Sequence, residues 1–244
     1  MRIASTLFLF FSLFFLTSFD EVETIVRRTG INPPSESFGF VVSMVKVKNV
    51  EKCAKEGCEA GTTAVSSASS TIIQHGDGYT RLLTAGHACA VSEIGDTVTI
   101  VEDFNGGKHF VTAQVYSDNP DLCLLETEDE WGVPLYISLE KPKHGDRVWN
   151  MAAPSGMFAP GMLLIFDGYY SGKKEDSDYY TIPAAPGSSG SSILNYRGDI
   201  IGVIHSAILK FPNLAACVTQ EQIISFLNKA TVVLDERRLS SKSE

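Results

Sequence analysis

The 244-residue chain has no excess of basic residues and no long basic cluster. Twenty Lys and Arg oppose 29 Asp and Glu, which gives a net charge of -9, and basic residues form nothing longer than pairs such as Arg27-Arg28. Affinity for nucleic acid rests on many Lys and Arg contacts to phosphates. The composition therefore predicts that nucleic acid is not a partner.

Cysteine and histidine are also scarce. The five His are scattered singly, whereas a structural zinc site needs two Cys or His pairs at short spacing, so we expect no metal and no cofactor. Of the five Cys, Cys53 and Cys58 are close enough to close a small disulfide loop, while Cys89 and Cys123 fit small buried side chains. Three His lie in turn-rich polar segments and are expected to be solvated: His75, His109 and His144.

One long apolar run, residues 3–19, carries no charge and holds six of the 14 Phe. Arg2 precedes it and Asp20, Glu21 and Glu23 follow it, a distribution that predicts export of the rest of the chain. The run is typical of a signal peptide or a membrane anchor, and its length leaves cleavage and retention open. We therefore expect an extracytoplasmic protein, secreted or anchored to the membrane through residues 3–19.

The remaining chain is organised as a linker followed by an all-β domain. Residues 20–37 are charged and then contain Pro and Ser, as is typical of a stem, so the folded domain is expected over residues 38–228. Many short apolar or alternating runs, separated by Gly, Asn, Asp and Ser, indicate short strands. Their number is sufficient for two barrels in tandem, over about 38–135 and about 140–228.

The C-terminal segment departs from this strand pattern. Ile223, Ile224 and Leu227 share one face at helical spacing, which predicts a short helix. Residues 229–244 are rich in charged residues and Ser, so a polar tail is expected after that helix.

Three segments each contain one member of a candidate acyl-transfer triad. His87 lies in TAGHAC, Asp121 begins DLCLLE, and Ser189 lies in PGSSGSS. A Ser hydroxyl needs an imidazole to accept its proton, and the imidazole needs a carboxylate that fixes its tautomer. Each residue alone has a plainer interpretation, as a structural His, a turn Asp or a loop Ser. Their occurrence together favours a nucleophilic active site.

These segments resemble the chymotrypsin-like (trypsin-fold) serine proteases, whose T-A-x-H, D-[LI]-x-[LV]-[LV] and G-x-S-G boxes occur in the same order. Residues 144–156 and 193–204 are similar to two further segments of the Deg/HtrA-type branch. The resemblance spans residues 38–228 and implies two tandem six-stranded antiparallel β-barrels with a short C-terminal helix. We expect this chain to lack the peptide-binding domain that follows the protease in many members.

The resemblance also implies roles for individual residues. His87 corresponds to the general base and acid, Asp121 to the orienting carboxylate, and Ser189 to the nucleophile. The backbone N–H groups of Gly187 and Ser189 correspond to the oxyanion hole. These roles imply a serine endopeptidase that hydrolyses a protein or peptide substrate through an acyl-enzyme. The alternative is a catalytically silent, protease-fold module that binds a peptide or protein.

Substrate binding is implied for His205, Ser206 and Ala207, which correspond to the family's edge strand. Pro183 stands where trypsin has its pocket Asp, so the resemblance implies no preference for Lys or Arg. Three interpretations of His205 remain open: a pocket His, as in glutamate-cutting members, a partner of Asp121, or a packed strand residue.

Overall fold

The computed structural model of the chain describes residues 34–53, 58–208 and 210–241. The apolar run at 3–19 and the predicted linker up to residue 33 lie outside these residues. Within them, twelve strands form two closed barrels, which confirms the predicted pair of six-stranded antiparallel barrels. In the same part of the chain no helix has the length and apolar character needed to cross a bilayer.

The first barrel closes in the strand order β1-β2-β3-β6-β5-β4. Its strands are β1 (Phe38–Val47), β2 (Thr63–Gly76), β3 (Tyr79–Thr84), β4 (Gly95–Asp103), β5 (Lys108–Asp118) and β6 (Asp121–Thr127). All neighbouring strands are antiparallel, so closure leaves the barrel without an unpaired edge.

The second barrel repeats this order as β7-β8-β9-β12-β11-β10. Its strands are β7 (Arg147–Ala152), β8 (Leu164–Lys174), β9 (Ser177–Tyr180), β10 (Ser192–Leu194), β11 (Ile200–Ala207) and β12 (Ala215–Thr219). Residues 128–146 connect the two barrels between β6 and β7.

Strands at the contact between the barrels are buried on both faces. On β3, Leu82 points into the first barrel, whereas Leu83 belongs to the apolar core shared with the second barrel. On β6, Leu122 and Leu124 join the shared core, while the residues between and after them fill the barrel interior. This double burial explains why LCLL is a continuous apolar run rather than an alternating one.

Two α-helices complete the described residues. The first, α1 (Gly86–Cys89), follows β3, and the second, α2 (Gln220–Ser241), follows β12. The expected polar tail after residue 228 is therefore wrong. Leu234 is fully buried in the core that also contains Leu83 and Leu122, and this contact keeps the helix folded through the charged segment.

The charged segment of α2 binds the first barrel through a buried ion network. Arg81 on β3 is fully buried and donates to the carboxylate of Glu126 on β6 at 2.8 Å. From α2, Asp235 accepts a hydrogen bond from Arg81 at 2.7 Å, and Arg238 donates to Glu126 at 3.2 Å. The helix that follows the second barrel is therefore fastened to the first.

His109 is the second departure from the sequence expectation. It is buried rather than solvated, and its ring stacks on Trp131 with centroids 4.0 Å apart. One ring nitrogen bonds to Asp103 at 3.1 Å and the other to Asp129. Because Asp129 and Trp131 belong to the connection between the barrels, this contact holds the start of that connection against the first barrel.

The ion network generates a stability prediction. Glu126→Gln is expected to lower the free energy of unfolding by about 3 kcal/mol, because the charge of buried Arg81 loses its buried counter-charge. Urea denaturation measures this loss. The matched control is Asp167→Asn, which breaks the exposed Arg147–Asp167 pair and is expected to produce no measurable loss. Equal losses in both variants would contradict the prediction.

Candidate active site

A cleft of about 630 Å³ brings His87 of the first barrel and Ser189 of the second to a common surface. The other lining residues are small or uncharged: Val65, Ser66, Ser67, Ser155, Ala185, Pro186, Gly187, Ile204 and Ala207. Residues separated by about one hundred positions in the chain therefore face one open cleft.

Asp121 holds His87 through two hydrogen bonds. The backbone N–H of His87 donates to Oδ1 of Asp121, and the ring Nδ1 bonds to Oδ2, both at 2.7 Å. A Cβ at the preceding residue, Gly86, would lie 2.8 Å from the same Oδ1, so only glycine permits this approach. When Nδ1 of His87 carries the proton and donates this hydrogen bond to the carboxylate, Nε2 is unprotonated and keeps its lone pair.

The pair is tuned by burial and charge. The hydrogen bond to Asp121 raises the pKa of His87, and the carboxylate charge adds to this rise against the opposing effect of burial. Burial alone would raise the pKa of Asp121, but the hydrogen bonds and charge of His87, together with His205, bring it below its ordinary value. The geometry therefore favours an ionised Asp121 beside a basic imidazole.

The segment of residues 185–189, termed here the Ser189 loop, presents two unpaired backbone amides. Gly187 has φ of 96°, a conformation that favours glycine, and the N–H of Ser188 closes a turn onto the carbonyl of Ala185 at 2.9 Å. Within the described residues, neither Gly187 nor Ser189 donates its N–H to an acceptor. Two such donors beside a hydroxyl can bind a developing negative charge.

The three predicted substrate-binding residues lie at the end of β11, where their environments differ. Ala207 lines the cleft, and Ser206 pairs with Ala216 of β12. His205 lies at a register shift of the strand and is not among the cleft-lining residues. Its Nε2 bonds to Ser177 Oγ at 3.1 Å, and burial lowers its pKa while the charge of Asp121 opposes that shift.

A disulfide between Cys89 and Cys123 joins the His87 segment to the Asp121 strand. Both residues were expected to be small buried side chains, so the sequence analysis missed this bond. The available signal was their spacing, because each Cys follows a triad candidate by two residues. The predicted Cys53–Cys58 disulfide is confirmed, and Cys217 is a buried free thiol.

A family model described as a trypsin-like peptidase domain matches residues 68–203, more than half of the chain. The chain belongs to this family. Membership places this peptidase in the class of serine-type endopeptidases, as predicted. No curated protein matches the chain in sequence.

Solved structures of other proteases share the fold of this trypsin-like peptidase. The active form of the Rv3671c protease from M. tuberculosis has a TM-score of 0.62 at 18% identity, over 81% of this chain and 82% of that one. The HtrA-type protease AlgW with a decapeptide has a TM-score of 0.61 at 18% identity, over 81% and 65%. A serine endoprotease from Yersinia pestis has a TM-score of 0.56 at 18% identity, over 78% of this chain and 61% of that one.

The Cys89–Cys123 disulfide generates the second prediction. Replacing both residues by Ala is expected to lower the free energy of unfolding by about 4 kcal/mol, because the bond closes a long loop, with a sequence separation of 34. The double variant Cys53→Ala/Cys58→Ala, whose loop has a separation of 5, is expected to lose only about 2 kcal/mol. Urea denaturation of both variants checks this order, and a reversed order would contradict it.

Proposed function

We propose that the chain hydrolyses peptide bonds through an acyl-enzyme, with His87, Asp121 and Ser189 as its catalytic triad. The observation that carries this proposal is the pair of hydrogen bonds from His87 to Asp121, on a His that faces the same cleft as Ser189. A carboxylate, an imidazole and a hydroxyl in this arrangement support nucleophilic catalysis.

In the proposed mechanism, Nε2 of His87 accepts the proton of Ser189 as Oγ attacks the substrate carbonyl carbon. The resulting oxyanion accepts hydrogen bonds from the N–H groups of Gly187 and Ser189, which have no other acceptor in the described residues. His87 then returns the proton to the leaving amine as the carbon–nitrogen bond breaks. Water repeats the sequence on the ester and releases the acid product with free Ser189.

The end of β11 supports binding of an extended peptide. β10 pairs with β11 as far as Val203, and Ile204 bonds to the backbone of Gly190 and Ser191. Residues 205–207 then leave one backbone edge without a strand partner in the described part of the chain. An extended substrate adds naturally to such an edge. Apart from His87, the described residues that line the cleft carry no ionisable side chain, and Pro183 supplies none. We therefore propose substrates in which the side chain that enters the cleft is uncharged.

His205 is proposed to act beside Asp121 rather than in the substrate pocket. The charges of His205 and Asp121 each shift the pKa of the other group, and His205 does not line the cleft. Both observations support this interpretation over a pocket His.

An extracytoplasmic site of action is proposed for the domain, in a secreted or membrane-anchored protein. Disulfides persist in oxidising compartments, and two of them in this domain support that placement. The apolar run at residues 3–19 remains the predicted export signal or anchor.

The nucleophile is tested by labelling with a fluorophosphonate probe and mapping the adduct by mass spectrometry. Wild type is expected to carry one adduct on Ser189, and Ser189→Ala none. Ser192→Ala is the matched control, because Ser192 Oγ lies close in sequence, is buried and has no hydrogen-bond partner. No labelling of wild type would favour the alternative of a silent binding module, whereas labelling of Ser189→Ala would assign the nucleophile to another residue.

The pH dependence of labelling tests His87 as the base. Asp121 raises the pKa of His87 above its ordinary value of 6.5. The imidazole is therefore still largely protonated at pH 6.5, and a protonated ring cannot accept the proton of Ser189. The labelling rate is therefore expected to fall as pH drops through a midpoint above 6.5. Asp121→Asn is expected to slow labelling by up to about 10⁴-fold. A rate that stays constant between about pH 5 and 8 would contradict the role of His87.

A further inference from the structure

We propose that Ser69, on β2 of the first barrel, is a positioning residue that holds the Ser189 loop of the second barrel in the conformation that stabilises the oxyanion. This inference rests on the proposed function, because it assigns a cause to the geometry of the two unpaired amides. Ser69 lies outside the triad and outside the residues implied by the family resemblance.

The hydroxyl of Ser69 bridges two segments of the second barrel. It donates to the carbonyl of Gly187 at 2.9 Å and accepts from the backbone N–H of Ala153 at 3.0 Å. A Ser hydroxyl has one proton to donate and lone pairs to accept with, so both bonds form together. Ser69 is fully buried, and water cannot replace either bond without entering the core.

The backbone of Ser69 adds two further contacts to the same region. Its N–H donates to the carbonyl of Ser189 at 2.9 Å, and its carbonyl accepts from Thr84 Oγ1 at 2.8 Å. Thr84 ends β3 three residues before His87. One residue therefore touches the Ser189 loop at two points and the strand that leads to the proposed base.

The direction of the Gly187 N–H is set by the peptide that joins Gly187 to Pro186. In a trans peptide the carbonyl oxygen and the N–H point in opposite directions, so fixing the carbonyl of Pro186 fixes the N–H of Gly187. That carbonyl accepts the N–H of Ser155 at 2.5 Å, in the turn that begins beside Ala153. Ser69 thus restrains the peptide after Gly187 directly, through the Gly187 carbonyl. It restrains the peptide before Gly187 indirectly, through Ala153 and the turn that contains Ser155.

Glycine at position 187 makes such a restraint necessary. Without a side chain, Gly187 has several backbone conformations of similar energy, and rotation of its peptide would remove an N–H from the oxyanion. Such a rotation of the Pro186–Gly187 peptide breaks the bond from the Ser155 N–H to the Pro186 carbonyl. Ser69 holds the turn that contains Ser155 through Ala153 and holds the carbonyl of Gly187 on the other side, so its hydroxyl favours the conformation observed here.

Ser70 provides a matched control on the same strand. It is also fully buried, and its hydroxyl donates at the same distance, 2.9 Å, to a backbone carbonyl. That carbonyl belongs to Gly39 on β1, so the bond stays within the first barrel. Deleting either hydroxyl removes a buried hydrogen bond to a backbone carbonyl, but only Ser69 contacts the Ser189 loop.

The test measures the inactivation constants of Ser69→Ala and Ser70→Ala with the fluorophosphonate, whose adduct at Ser189 places an oxygen against the two amides. We expect Ser69→Ala to lower the maximal inactivation rate by about 10- to 100-fold, with the concentration for half-maximal rate unchanged. We expect Ser70→Ala to stay within about twofold of wild type, since its hydroxyl has no contact with the loop.

Two further readouts separate positioning from general destabilisation. The pH midpoint of inactivation is expected to be the same in Ser69→Ala and wild type, because the His87–Asp121 bonds are untouched. A second pair, Ser69→Cys and Ser70→Cys, replaces the hydroxyl with a slightly larger thiol that is a weaker donor. We expect Ser69→Cys to lose less activity than Ser69→Ala, and Ser70→Cys to lose none. This pair keeps the inference testable if Ser69→Ala does not fold.

The outcomes distinguish this inference from the proposed function. If wild type is labelled at Ser189 while the Ser69 variants react as fast as their Ser70 partners, the role of Ser69 is wrong and the function stands. A shifted pH midpoint in Ser69→Ala would assign its effect to His87 instead and would also overturn the inference. Failure of wild type to react at Ser189 overturns both proposals.

Discussion

The packing of the two barrels against each other is the interaction on which the candidate site depends. Phe38 and Leu83 of the first barrel share one apolar core with Trp149 and Val203 of the second, and Leu234 of α2 closes it. His87 and Asp121 belong to one barrel and Ser189 to the other. Each barrel alone therefore carries only part of the proposed triad, and hydrophobic burial between them assembles the cleft.

Apolar packing holds the barrels together but has no direction, whereas a catalytic geometry needs alignment within fractions of an ångström. Directional bonds between the barrels supply that alignment. The bonds from Ser69 to Gly187 and Ser189 cross the contact at the cleft, and α2 crosses it again on the side of Arg81. In this interface, apolar packing holds the barrels together and hydrogen bonds align them.

Local patterns in the sequence predicted the barrels and the helix, because strand alternation and turn residues act over a few positions. The triad candidates followed from their neighbours and their order, and their roles remain predictions. Features set by distant contacts were missed. The Cys89–Cys123 pairing and the burial of His109 depend on which strands meet. The length of α2 depends on Leu234 reaching the shared core, which a charged local sequence conceals.

The position of α2 has a consequence for how this chain can be divided and recombined. The helix comes last in sequence, after every strand of the second barrel, yet it supplies Asp235 and Arg238 to the buried charges of the first. A gene fragment ending between the barrels would encode a first barrel whose Arg81 lacks one of its carboxylate partners. A chimera of two related proteins would preserve this network only if its C-terminal helix and its N-terminal barrel came from the same parent.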